Sequence, residues 1–147
     1  MTRLLQIALL ALLSNLALAD AKTFETFGDY KVVYTVFNSS FIKPDIAKSY
    51  GITRAKNQVL INVALIKATA DGDTEGLPAK VSGTVANLMQ QQKTLKFFEV
   101  QEQNAVYYLA PLRIDNEEVL NFDIAVKTSA TARPFKLEFT KTLYVDK

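Results

Sequence analysis

Among its 147 residues the chain has no histidine and no cysteine. That removes Ser-His-Asp and Cys-His nucleophilic catalysis, histidine acid–base work and ordinary zinc or iron ligation. What is left for chemistry is hydroxyl, carboxylate, phenol and cation. Ser40 and Lys43 stand at the serine–x–x–lysine spacing of penicillin-recognising enzymes. That pairing needs both side chains on one helical turn, and Pro44 pushes Lys43 out of the helical region. The companion motifs are missing, because Lys93-Thr94 and Lys141-Thr142 are followed by leucine and not glycine. The serine therefore reads as part of a turn.

Asp71-Gly72-Asp73-Thr74-Glu75-Gly76 has the shape of half a calcium loop, with Asp71, Asp73 and Glu75 as oxygen donors at alternate positions. The twelfth position is Ser82 and not glutamate, and no long helix pattern flanks the loop. A solvated hairpin turn is the expected reading, so no metal or cofactor is assigned, and a small-ligand or calcium module working through 71–76 is the alternative. Glu99, Glu102, Glu117, Glu118 and Asp123 are candidate paired acids for glycoside chemistry. Nothing in their spacing pairs any two, and the chain has no tryptophan to stack a sugar. Tyr107 and Tyr108 are adjacent, so alternation sends one ring into the core and the other outward. Lys43, Lys48, Arg54 and Lys56 gather around a short helical pattern with Asp45 as the one opposing charge. They form either a solvated helix face or a surface that binds a partner. Lys48, Arg54 and Lys56 are the partner-binding candidates.

The elements that must hold these residues are mostly strands. Tyr30, Val32, Tyr34 and Val36 fall on alternate positions with Asp29, Lys31 and Thr35 between them, the period of a half-buried strand. Asn38-Ser39-Ser40 breaks that period with side chains that hydrogen-bond locally. Pro44 and Asp45 suit the first turn of a helix, and Gly51 suits its left-handed end, so the spacing predicts a two-turn helix over 44–50. Val59, Ile61, Val63 and Leu65 mark a second strand, with Gln58 expected in solvent. Asn62 belongs to its opposite face, either exposed or hydrogen-bonded. Further strands are expected at 22–27, at 81–85 with an extension toward Met89, at 94–100, at 105–110, at 120–126 and at 135–145. Gly83 inside its strand predicts a bulge or a close backbone approach. About seven short antiparallel strands with one inserted helix predict an all-β, immunoglobulin-like sandwich.

One set of residues carries a resemblance. Tyr34, Phe37, Asn38, Ser39, Ser40, Phe41, Pro44, Ala47, Tyr50, Gly51, Arg54 and Asn62, then Gly83, Asn87, Leu88, Tyr107 and Tyr108, are similar to the pattern of a family of small uncharacterised bacterial periplasmic proteins. The resemblance implies a domain of unknown function with an immunoglobulin-like sandwich, and it implies no activity.

Residues 1–19 read as a cleavable secretory signal: Arg3, an apolar run from Leu4 to Leu13, and Ala17-Leu18-Ala19 as the cleavage site, with a second site at Ala21. The remainder, 20–147, is expected to be a single periplasmic domain with no transmembrane segment. The formal charge of +2 includes Arg3. A mature chain so close to neutral has no nucleic-acid footprint. The combined expectation is a non-enzymatic binding or accessory domain for another protein of the cell envelope. The pattern sets no oligomeric state.

Overall fold

A computed structural model describes residues 23–129 and 133–147. The signal segment and both cleavage sites lie outside the described residues. The alternation at 30–36 does form a strand. It is β2, Tyr30–Asn38, preceded by β1, Phe24–Phe27. A 3-10 turn, Ser39–Phe41, leads to helix α1, Pro44–Tyr50. The other strands are β3 (Gln58–Thr69), β4 (Gly72–Asp73), β5 (Lys80–Asn87), β6 (Gln92–Leu95), β7 (Phe98–Glu102), β8 (Ala105–Arg113), β9 (Glu118–Lys127) and β10 (Phe135–Leu143).

Two antiparallel sheets make the sandwich. The first has the order β1-β2-β3-β8-β7, with β4 paired to the end of β3, and the second has the order β10-β9-β5-β6. Their inner faces share one core that includes Val32, Val59, Ile61, Val63, Ala110, Phe122, Ile124, Val126 and Leu137. No described helix is long and apolar enough to cross a membrane.

The ten strands among the described residues exceed the seven or so expected, in part because alternation reports burial and not sheet membership. The segment read as one strand at 94–100 is two: β6 belongs to the second sheet and β7 to the first. Residues 96–97 carry the chain across, so Phe97 packs on the shared core and Phe98 on the outer face of the first sheet. Met89 does not extend β5. It sits in the β5–β6 turn at 79% exposure. There the Asn87 side chain accepts from the Met89 and Gln91 amides at 3.0 and 2.9 Å. Gly83 is the close approach that was expected: a Cβ there would lie 2.9 Å from the Asp123 carbonyl oxygen on β9.

Helix α1 decides what happens to β3. Pro44 stands at its start, and Gly51 ends it at φ 67°, a backbone shape glycine takes at no steric cost. Ile46 and Ala47 bury against Phe37, Leu60, Val100 and Leu109 on the outer face of the first sheet. Two turns are too short to be stable alone, so this docking holds the helix. With both faces covered, β3 is buried continuously from Val59 to Leu65. Asn62 is on the expected face but only 3% exposed, and its Oδ1 is buried without a hydrogen-bond partner. Its cross-strand neighbour Thr35 leaves Oγ1 in the same condition. Gln58 is half-buried, donating from Nε2 to the Thr53 carbonyl at 3.0 Å, and not solvent-exposed as the alternation predicted.

Candidate functional site

The polar run that follows β2 is a clasp. Asn38 Nδ2 donates to the Tyr144 carbonyl at 3.2 Å and to the Lys56 carbonyl at 3.4 Å. Ser39 is fully buried. Its Oγ accepts from the Ala55 amide at 2.9 Å and donates to the Ala55 carbonyl at 3.1 Å. Ser40 Oγ donates to Asp146 Oδ2. Arg54 Nη2 donates to the Ser40 carbonyl at 3.0 Å, and the Asp146 amide to the Lys56 carbonyl at 2.8 Å. Residues 38–40 are thereby zipped to 54–56, and the end of the chain is zipped to both. Ile42 and Lys43 are extended, so Ser40 and Lys43 share no helical turn and the serine–lysine pair does not form.

Around this clasp the surface is cationic. Lys43, Lys48, Arg54 and Lys56 are all exposed, as is Asp45. Among the described residues, the ion pairs join Lys31 to Asp73 and Lys136 to Asp123, and none involves these four cations. Phe41, 54% exposed, is next to the Ser40 carbonyl that holds the Arg54 guanidinium.

The candidate paired carboxylates have separate surroundings. Glu102, at the end of β7, is 3% exposed, and its Oε1 accepts from the Tyr50 hydroxyl at 2.8 Å. Its Oε2 is buried without a hydrogen-bond partner. Burial first, then the bond to Glu102 and its charge, push the Tyr50 phenol up to about 12. Tyr107 lies on the same face, half-buried. Burial, then the charges of Glu102 and Glu75, raise its pKa. Tyr108 is the inward ring. Its hydroxyl accepts from the Ala79 amide at 2.8 Å and donates to Glu99 at 3.4 Å. Burial raises the Tyr108 phenol, the Ala79 amide lowers it in part, and Glu99 adds to the rise. Glu118 accepts from the Asp115 amide at 3.4 Å, Asp123 pairs with Lys136 at 3.2 Å, and Glu117 occupies a left-handed turn position at φ 53°.

The acidic loop is likewise dispersed. Asp73, in β4, pairs with Lys31 at 3.2 Å. The Asp71 amide donates to Thr69 Oγ1 at 3.3 Å, and exposed Glu75 acts on Tyr107. No three His, Cys, Asp or Glu side chains converge among the described residues.

The profile of a domain of unknown function, DUF4426, matches residues 24–146. The chain belongs to the DUF4426 family. A crystal structure of a DUF4426 family protein from Pseudomonas aeruginosa PAO1 is 33% identical, with a TM-score of 0.74 over 84% of this chain and 95% of that one. FetP of uropathogenic Escherichia coli strain F11, recombinantly expressed in the periplasm, is 11% identical, with a TM-score of 0.60 over 84% and 94%. A copper-bound variant of FetP is 13% identical, with a TM-score of 0.63 over 86% and 97%. At those identities the likeness to FetP is one of fold. No curated protein matches the chain. This DUF4426 chain has no imidazole or thiolate to offer a copper ion, and the one methionine among its described residues, Met89, stands in solvent.

Reading the sequence did not find the clasp or the Tyr50–Glu102 bond. Asn38, Ser39 and Ser40 announce a turn, but their partners lie up to 106 residues away. Glu102 follows Val100 on the same face of a strand, and that spacing marks it as buried.

Proposed function

We propose that this DUF4426 domain is an exported, non-enzymatic accessory domain that docks on another cell-envelope protein through the surface beside α1. The observation that carries this is the unpaired charge. Lys43, Lys48, Arg54 and Lys56 are exposed without an ion pair among the described residues, while the fold uses Ile46, Ala47 and Tyr50 for docking the helix. Surface charge adds little to stability, ~0–1 kcal/mol even when paired. The three lysines are therefore surplus to folding and available to a partner, and Arg54 has donors left beyond the one that bonds the Ser40 carbonyl.

Export is supported by the signal pattern at 1–19. A non-enzymatic role is supported by the absence of histidine and cysteine and by the separation of the carboxylates. The test is affinity capture of the tagged, full-length protein from crosslinked cell envelopes. Arg54→Ala with Lys56→Ala should keep the melting temperature within a few degrees and reduce recovery of the captured partner. Equal recovery from the folded double variant would leave the surface as solvated charge only.

A further inference from the structure

We infer that the surface beside α1 receives a short acidic segment of a partner protein, with Arg54 taking a carboxylate and Phe41 an adjacent apolar side chain. The inference rests on the docking reading above and adds the chemistry of the partner. Arg54 carries five N–H donors in a planar fork. Nη2 is committed to the Ser40 carbonyl, which fixes the guanidinium while leaving its other donors at an exposed position. A pre-positioned fork is the group that carboxylates bind best, through paired charge-assisted hydrogen bonds. The clasp anchors the fork on the carbonyl of Ser40, the residue before the exposed Phe41, and Lys56 follows on the same segment as Arg54. Lys43 stands at the head of α1, and Lys48 lies about 7–8 Å further along the helix.

The pattern favours a discrete acidic peptide over an anionic membrane. A membrane surface is attracted by a broad, strongly basic face. Here the whole chain has a formal charge of only +2, and Asp45 and Asp146 stand within the same end of the molecule. Such a field fades within about a Debye length, ~8–10 Å at physiological salt, which leaves contact recognition by individual groups. An apolar residue set among acids matches one exposed ring set among cations.

The experiment is an amide-shift titration of the isotope-labelled protein. The probe is a short capped peptide of glutamates flanking one phenylalanine. Its glutamine analogue and phosphatidylglycerol vesicles are run beside it. Shifts should concentrate at residues 41–43 and 54–56, and the glutamine analogue should give none. Arg54→Gln should weaken binding about tenfold, and so should Lys43→Glu with Lys56→Glu. The second pair leaves the Arg54–Ser40 bond in place, so it stays informative if Arg54→Gln loosens the fold. Equal binding of the glutamine analogue, or shifts centred elsewhere, overturns the inference. Vesicle binding through the same cations without peptide binding also overturns it, in favour of a membrane. If the peptide fails while envelope capture still depends on Arg54 and Lys56, docking stands and the acidic partner does not.

Discussion

Glu102 has been taken out of water with one of its two oxygens bonded. A buried carboxylate needs partners, and Tyr50 is the one the fold supplies, from the last turn of α1. Tyr50→Phe removes that partner and should lower stability by about 2 kcal/mol, since hydrogen bonds to charged groups contribute ~1.5–3 kcal/mol. Glu102→Leu in the Tyr50→Phe background should recover part of the loss, because a pair is more cheaply replaced than broken. Denaturant unfolding of the wild type and both variants checks this. No recovery in the double variant would mean that Glu102 has another task. The same bond sets a pH dependence. Folding raises the Tyr50 phenol from 10.0 to about 12. Below pH ~10 the phenol is neutral folded and unfolded, so its contribution is fully present. Between pH ~10 and ~12 the unfolded chain loses the proton first, and stability falls as pH rises. Tyr50→Phe should therefore have a shallower decline over that window than the wild type. Parallel curves would show that the phenol does not titrate with folding.

Ser39→Ala deletes the side-chain group that satisfies both the amide and the carbonyl of Ala55 in a fully buried position. The expected cost is ~1–3 kcal/mol by equilibrium unfolding, with exchange protection lost first at 54–56. Uniform loss of protection would place Ser39 in the global core instead. The 71–76 segment is tied by Lys31–Asp73 and by the Thr74 amide to the Lys67 carbonyl at 2.9 Å. Adding calcium and then removing it with a chelator should leave the melting temperature unchanged. A rise of several degrees with calcium would make this segment a binding loop.

The elements differ in how much the sequence told of them. β9 and β10 were legible because their clean alternation pairs over nine residues, from Phe135 against Val126 to Leu143 against Glu118. The helix was legible from Pro44 and Gly51, which act within their own turn. The two-sided burial of β3 was not, because it depends on α1 folding back over Leu60. The clasp was not legible either: Ser40 gives no local sign of Asp146. Of the candidate site, the cations could be read and the fixing of Arg54 on the Ser40 carbonyl could not.

For the whole molecule, the two sides of the sandwich are closed by different means. On one side the chain itself crosses from β6 to β7. On the other, β1 and β2 of the first sheet and β10 of the second do not pair among the described residues, and aromatic rings close the gap. Tyr34 stacks on Phe139 at 4.4 Å and Phe139 on Phe122 at 4.7 Å, while Phe135 packs on Phe27 at 4.9 Å and on Tyr30 at 5.3 Å. Phe139 touches both sheets through one side chain, so its removal should be felt by the whole fold. Phe→Ala in a full core costs ~3–5 kcal/mol, and the half-buried position of Phe139 lowers the expectation to about 2–3 kcal/mol. On the outer face of the same strand, Lys136→Ala breaks an ion pair whose side chains are 56% and 48% exposed. That loss should stay within ~0–1 kcal/mol. Urea unfolding followed by near- and far-ultraviolet dichroism would report both. The Phe139→Ala midpoint should drop well below that of Lys136→Ala, with the two signals still coincident. Comparable midpoints would mean that the open side is held by the strand ladders within each sheet and not by the rings between them.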